Sequence, residues 1–213
     1  MTRDELVSNG FSAFDNISIV YHSYNEKVTP SSYSKKSNRF ISVGKLSPHK
    51  GIEDLLNIFS NKSNCNLTIV GKGSLINLVT ETSRIHKNIT YKGYTNGFKN
   101  LIPIYNQHSF LILNSLKTGA WEELFGIVII EAMACGLIPI TTNHTGPREI
   151  ITPFINGILC EEGKIIEGID YALNINQNDY ITMREKSIER SKDFQSSIIS
   201  HRWEPILKYL NNY

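Results

Sequence analysis

Two carboxylates, Glu123 and Glu131, stand with seven residues between them at either end of the apolar stretch in EELFGIVIIEAMACG, residues 122–136. If a helix starts at Phe125 or Gly126 and ends at Gly136, Glu131 falls four residues after Ile127 and three after Val128. It then stands over the face where the first amides of the helix lack partners. A carboxylate there can accept two hydrogen bonds from a vicinal diol such as a ribose. The amides of Gly126, Ile127 and Val128 can take phosphate oxygens, and a glycine in the first turn lets a ligand come close. Glu123, in the loop before the helix, reaches the hydroxyls of whatever follows the phosphates. A simpler account makes Glu123 a partner of the helix dipole and Glu131 a salt-bridged surface acid.

The loop Gly44-Lys45-Leu46-Ser47-Pro48-His49-Lys50-Gly51 places two cations between a strand end and a helix start. That arrangement suits a pyrophosphate, although two solvated loop lysines would read the same way. It is not a P-loop, since G-x-x-x-x-G-K-[ST] does not occur. In Gly71-Lys72-Gly73 the glycines mark a place where backbone passes close to something. The third glycine of a dinucleotide fingerprint is absent, and no acid ends the next strand to hold a ribose, which argues against a nicotinamide enzyme. No Asp-x-Asp pair occurs, so a ligand held through a metal is not expected and no cofactor is called for.

These residues must be positioned by alternating strands and helices. Strand-like runs occur at 39–43 (RFISV), 66–70 (NLTIV), 89–92, 110–114 (FLILN), 137–142 and 158–160. Helical spacing occurs at 51–60, 74–84 and 98–107 despite Pro103, then at 125–136, at 147–151 and from about 164 onward. The four β-branched residues 127–130 favour a strand in isolation, so a helix there needs packing to override propensity. A βα series with short glycine-bearing connections predicts a parallel sheet covered on both faces, with its ligand at the carboxyl ends of the strands.

The bulk numbers are those of a globular chain: 213 residues, 40% hydrophobic, 20% charged, net charge +2. No basic block suggests nucleic acid. Three cysteines without C-x-x-C argue against a disulfide framework or zinc, and Cys135 and Cys160 read as small core residues. No apolar run reaches transmembrane length and no signal-peptide core opens the chain, which points to a cytoplasmic protein.

Four further motifs join the E-x7-E segment in order: FISVGKLSPHKGIEDLL (40–56), LTIVGKGS (67–74), ITYKGYTN (89–96) and TGPREIITPFINGILC (145–160). Over about residues 41–160 the chain resembles the retaining GT-B glycosyltransferases of family 4. The resemblance implies a Rossmann-like parallel sheet with helices on both faces, the C-terminal, donor-binding half of a GT-B fold. Its implied catalytic residues are Lys45, Lys50 and Glu123. Its implied nucleotide-sugar site comprises Gly44, Lys45, Lys50, Gly71, Gly93, Tyr94, Glu123, Phe125, Gly126, Ile127, Val128 and Glu131. Lys45 and Lys50 would hold the diphosphate, Glu131 the ribose, and Gly93-Tyr94 would lie beside the base. Lys45 stands where the family usually has arginine, keeping the charge but losing the bidentate fork.

In that family an N-terminal domain supplies the acceptor site. Here its counterpart is confined to residues 1–38, where NISIVY (16–21) looks like its last strand. Residues 39–194 form the nucleotide-sugar domain. Residues 195–213 form a helix whose Trp203, Ile206, Leu207 and Leu210 pack toward the missing half, Trp203 as packing rather than binding. The implied activity is sugar transfer, with retention, from a nucleotide sugar to a glycan or glycolipid, by a chain inactive alone. The partners are the donor, the acceptor and an N-terminal domain in the same or another chain, with peripheral membrane contact through the missing half. The alternatives are a non-catalytic nucleotide-sugar-binding module and a GT-B epimerase or phosphorylase.

Overall fold

The computed structural model describes residues 7–10, 19–24, 27–30, 36–119 and 121–210. Within them, β1 (Arg39–Val43), β2 (Asn66–Val70), β3 (Ile89–Tyr91), β4 (Phe110–Leu113), β5 (Ile138–Thr142) and β6 (Ile158–Cys160) form one sheet in the order β3-β2-β1-β4-β5-β6. Every neighbouring pair is parallel. The helices are α1 (Ile52–Ser60), α2 (Ile76–Ile85), α3 (Phe98–Tyr105), α4 (Ile127–Ala134), α5 (Thr145–Ile150), α6 (Ile165–Asn174), α7 (Gln177–Ser191), α8 (Ser196–Ile199) and α9 (Glu204–Leu210).

Register explains the two-layered core. Phe40 pairs with Leu67 on one side and Phe110 on the other, and Phe110 pairs with Ile138. These four side chains line one face and pack under α1, α6 and the first turns of α7. Their neighbours Ile41, Leu111 and Leu113 point the opposite way and pack under α3 and α4. With both faces covered, a strand such as FLIL is buried along its whole length.

The segment 127–130 is helix. From Ile129 to Ala134 every residue of α4 is buried. Burying an isoleucine is worth roughly 1.5–3 kcal/mol, against a few tenths of a kcal/mol lost by placing it in a helix. Packing therefore wins. Gly126, at φ 78°, is the N-cap of α4. At the other end Gly136 N–H donates to the Met133 carbonyl (2.9 Å) and Leu137 N–H to that of Ala132 (3.0 Å), closing the helix.

The strand expected at residues 16–21 falls in part outside the described residues, and Ile19, Val20 and Tyr21 carry no strand. The nearby Tyr24 instead bridges to Gln195: its N–H donates to Phe194 O (3.1 Å), and its carbonyl accepts from Ser196 N–H (3.0 Å). Farther along, Lys36 Nζ donates to the carbonyls of Leu173 (2.7 Å) and Ile175 (2.9 Å). These described parts of residues 1–38 thus lie against the sheet domain. Trp203 ends the 3-10 turn that leads into α9, and Trp203 and Leu207 are each about half exposed. Among the described residues no helix is long and apolar enough to cross a membrane.

Candidate functional site

The chain runs outward through β1, β2 and β3, then returns to place β4 against the other side of β1. Diverging connections leave a crevice at that reversal, beyond the carboxyl ends of β1 and β4. A cleft of about 920 Å³ occupies it. The loop after β1 contributes Gly44, Lys45, His49 and Lys50, and the long loop after β4 contributes residues 117–119 and 121–126. The first turn of α4 completes it with Ile127 and Val128.

Eight of the predicted site residues therefore meet: Gly44, Lys45, Lys50, Glu123, Phe125, Gly126, Ile127 and Val128. Lys50 Nζ forms an ion pair with Glu123 Oε2, and the same oxygen accepts the Ser115 hydroxyl at 3.0 Å. Lys45 is exposed at the mouth. The amides of Gly126, Ile127 and Val128 have no acceptor among the described residues, as the helix start requires. A side chain on Gly126 would press on Ile129 and Leu113. The cleft thus brings the ammonium groups of Lys45 and Lys50 and a row of free N–H donors together with the Glu123 carboxylate, and Lys117 and Glu122 line it as well.

The other four lie elsewhere. Gly71, Gly93 and Tyr94 belong to the loops after β2 and β3, and none of them lines the cleft. Their loops are tied together by Gly71 N–H to Gly93 O (2.9 Å) and Tyr91 Oη–H to Gly71 O (2.9 Å). Tyr94 is exposed, with Lys72 Nζ 4.2 Å from its ring centre. Glu131 is neither a cleft-lining group nor a surface acid. It is 8% exposed, which overturns the salt-bridged surface account. Burial pushes its carboxyl up to about 7, outweighing the nearby Tyr105 hydroxyl, which favours the ionised form. That hydroxyl is fully buried and makes no well-formed hydrogen bond.

Several cleft residues carried no role in the sequence reading. Glu122 Oε1 accepts both the amide and the hydroxyl of Thr145 (2.8 Å each) at the start of α5, and its Oε2 accepts Lys117 Nζ at 3.0 Å. Those bonds, the Thr145 amide first and then Lys117, hold its carboxyl at about 2. Close by, α5 presses on the cleft loop at Gly146, whose N–H donates to Glu123 O (3.0 Å) and where any side chain would strike the backbone of Leu124 and Phe125. Trp121 and His49 meet with ring centres 4.5 Å apart and their planes tilted by 55°. The one available signal was length: a connection as long as 114–126 without regular structure is commonly functional.

This is a doubly wound α/β protein of the Rossmann type, with its cleft at the switch point. The family described as "Glycosyl transferases group 1" matches residues 25–194, and the chain belongs to it. An uncharacterised glycosyltransferase of Methanocaldococcus jannaschii is 26% identical over 183 residues, covering 83% of this chain and 49% of that protein. A glycosyltransferase structure from Rickettsia africae superposes with a TM-score of 0.78 at 21% identity, over 97% of this chain and 60% of that one. The Anabaena protein HepE, solved in complex with UDP and glucose, gives a TM-score of 0.74 at 16% identity, over 99% and 61%. The fold is thereby that of GT-B glycosyltransferases, and the chain spans about half the length of the first of these relatives.

Proposed function

We propose that the chain is the donor-binding half of a retaining glycosyltransferase, which takes a sugar from a nucleoside diphosphate to a glycan or glycolipid acceptor. The observation that carries this reading is the meeting of Lys45, Lys50, Glu123 and the free amides of α4 in one switch-point cleft. HepE, which is solved with UDP and glucose, supports it through a shared fold; retention rests on the family resemblance alone.

The roles follow from charge and place. The diphosphate lies at the N-terminus of α4, where the amides, Lys45 and Lys50 stabilise the negative charge that builds up as the sugar leaves. Those cations would take the part that a metal plays in other transferases. An entering diphosphate draws Lys50 away from Glu123, which frees that carboxylate for the sugar hydroxyls. The ribose role of Glu131, the place of Gly93 and Tyr94 beside the base, and that of Gly71 in the nucleotide-sugar site rest on the resemblance and on spacing.

Lys50→Ala is expected to weaken nucleoside-diphosphate binding ten- to a hundredfold while sparing the nucleoside. A lost charge-assisted hydrogen bond is worth ~1.5–3 kcal/mol. Calorimetry with UDP and uridine, or the GDP and ADP equivalents, reads it, and equal losses for both would remove Lys50 from the phosphates. Lys45→Ala should act alike, with Lys45→Arg tolerated or better because its fork suits phosphate.

The two acids should fail differently. Glu131→Ala should weaken the nucleotide and the nucleotide sugar alike, since both carry the ribose. Glu123→Ala should cost affinity only for the sugar-bearing ligand. A comparable loss of the bare nucleotide on Glu123→Ala would show the acids misassigned.

A further inference from the structure

The loop that carries Trp121 is stapled to three different parts of the fold. Leu116 N–H donates to the His49 carbonyl (2.8 Å), tying it to the loop after β1. Lys117 N–H donates to Glu162 (2.6 Å), and Glu122 anchors it to α5 through Thr145. Between these anchors Thr118 and Trp121 exchange both backbone hydrogen bonds, at 2.9 and 3.0 Å, in a small antiparallel bridge. The indole is only partly buried and lines the cleft. A tryptophan held this firmly at a ligand cleft, yet not used to fill the core, calls for a function.

Its neighbours indicate which. Lys50 Nζ lies 4.6 Å from the centre of the indole ring, within the range of a cation–π contact. His49 meets the same ring, and its Nε2 lies 3.2 Å from Ser47 Oγ. Burial, with the charges of Lys50 and Lys45, lowers the His49 pKa below its usual value. That shift favours the neutral imidazole, and among the described residues Lys50 is the cation over the indole.

We propose that Trp121 is a positioning residue for Lys50, whose ammonium its indole face holds at the donor-diphosphate position; this rests on the reading of the cleft given above. Lysine has a flexible four-carbon stem and loses considerable rotamer freedom when its ammonium is fixed. Glu123 and Trp121 fix it from two sides. The carboxylate must give way to the incoming diphosphate, because two anions compete for one ammonium. The indole need not, because a cation–π contact leaves the N–H donors free. Trp121 thus keeps Lys50 in place through the exchange of its anionic partners.

The test uses whichever of UDP, GDP and ADP binds the wild-type chain most tightly, together with its nucleoside. Trp121→Leu should weaken the diphosphate about three- to tenfold and the nucleoside less than twofold, as loss of a partly exposed cation–π contact implies. Trp121→Phe, which keeps an aromatic face, should stay within about twofold of wild type. In a Lys50→Met background Trp121→Leu should change diphosphate affinity by less than about twofold. Circular dichroism of each variant reports folding, and the Phe variant with the Lys50→Met pair carries the test if the Leu variant misfolds. Equal cost of Trp121→Leu with and without Lys50, or a Phe variant as weak as Leu, overturns the inference while leaving the donor site intact. If no nucleoside diphosphate binds the wild-type chain, the reading of the cleft falls and the inference with it.

Discussion

This chain by itself is expected to bind a nucleotide sugar and to transfer nothing measurable. The cleft proposed to hold the donor is lined by the ends of β1 and β4, the loops that follow them and the first turn of α4, with His22 beside them, so binding is expected to need no further domain. Transfer needs an acceptor hydroxyl held in line and water kept out, which the family resemblance assigns to a second domain. Alignment of reacting groups contributes on the order of 7–11 kcal/mol to such reactions. At ~1.4 kcal/mol per tenfold, losing it takes turnover below detection. Titrating UDP-, GDP- and ADP-sugars by calorimetry, with and without EDTA, would establish binding and test the expected independence of metal. A transfer assay with and without a supplied N-terminal domain would then decide. Robust turnover by the chain alone would sink the half-enzyme reading. Binding with no transfer in either arm would favour a nucleotide-sugar-binding module.

The second large effect concerns Glu131 and pH. Its carboxyl is raised by burial from the usual 4.5 to about 7. Between those values the folded chain holds a proton that the unfolded chain has lost, so stability falls as pH rises through the window and levels off above it. A shift of that size corresponds to on the order of 3 kcal/mol. One other group opposes this trend within the window, and a second acts only below it. His108 is lowered by burial to about 4, with its Nδ1 2.8 Å from the Ile104 carbonyl and its Nε2 2.8 Å from the Thr68 hydroxyl, and it contributes stability that is lost as pH falls from 6.5. Glu122, held at about 2, loses its contribution only below the usual carboxylate range.

The wild-type curve is therefore a sum, and Glu131→Gln isolates one component. Urea denaturation from pH 4.5 to 8 should show the wild type losing stability relative to Glu131→Gln by up to ~3 kcal/mol. Parallel curves would mean that the buried carboxyl does not titrate there. Since a carboxylate accepts two hydrogen bonds from a diol and a protonated acid does not, nucleotide affinity should also rise across pH 6–8 in the wild type and stay flat in the variant.

Much of the architecture is legible in the chain's local pattern. The strands RFISV, NLTIV and ILC lie where their residues place them, and α4 runs between Gly126 and Gly136 as the glycines suggest. Period and punctuation act within a few residues, so short stretches of sequence carry them. The switch-point residues were legible too, because strand ends and helix starts mark the rim of a parallel sheet. What tertiary structure alone decided is which parts of that rim meet. The order β3-β2-β1-β4-β5-β6 sets the loop after β1 beside the loop after β4 and carries Gly71, Gly93 and Tyr94 away to one side. It brings Glu123 onto Lys50 and Trp121 over the same ammonium, across a gap of some seventy residues that no local pattern spans. It also buries Glu131 beside Tyr105, because the depth of a side chain depends on the helix packed across from it. Spacing along a helix sets the direction in which a carboxylate points; its charge at neutral pH is set by how much water the neighbouring elements leave around it.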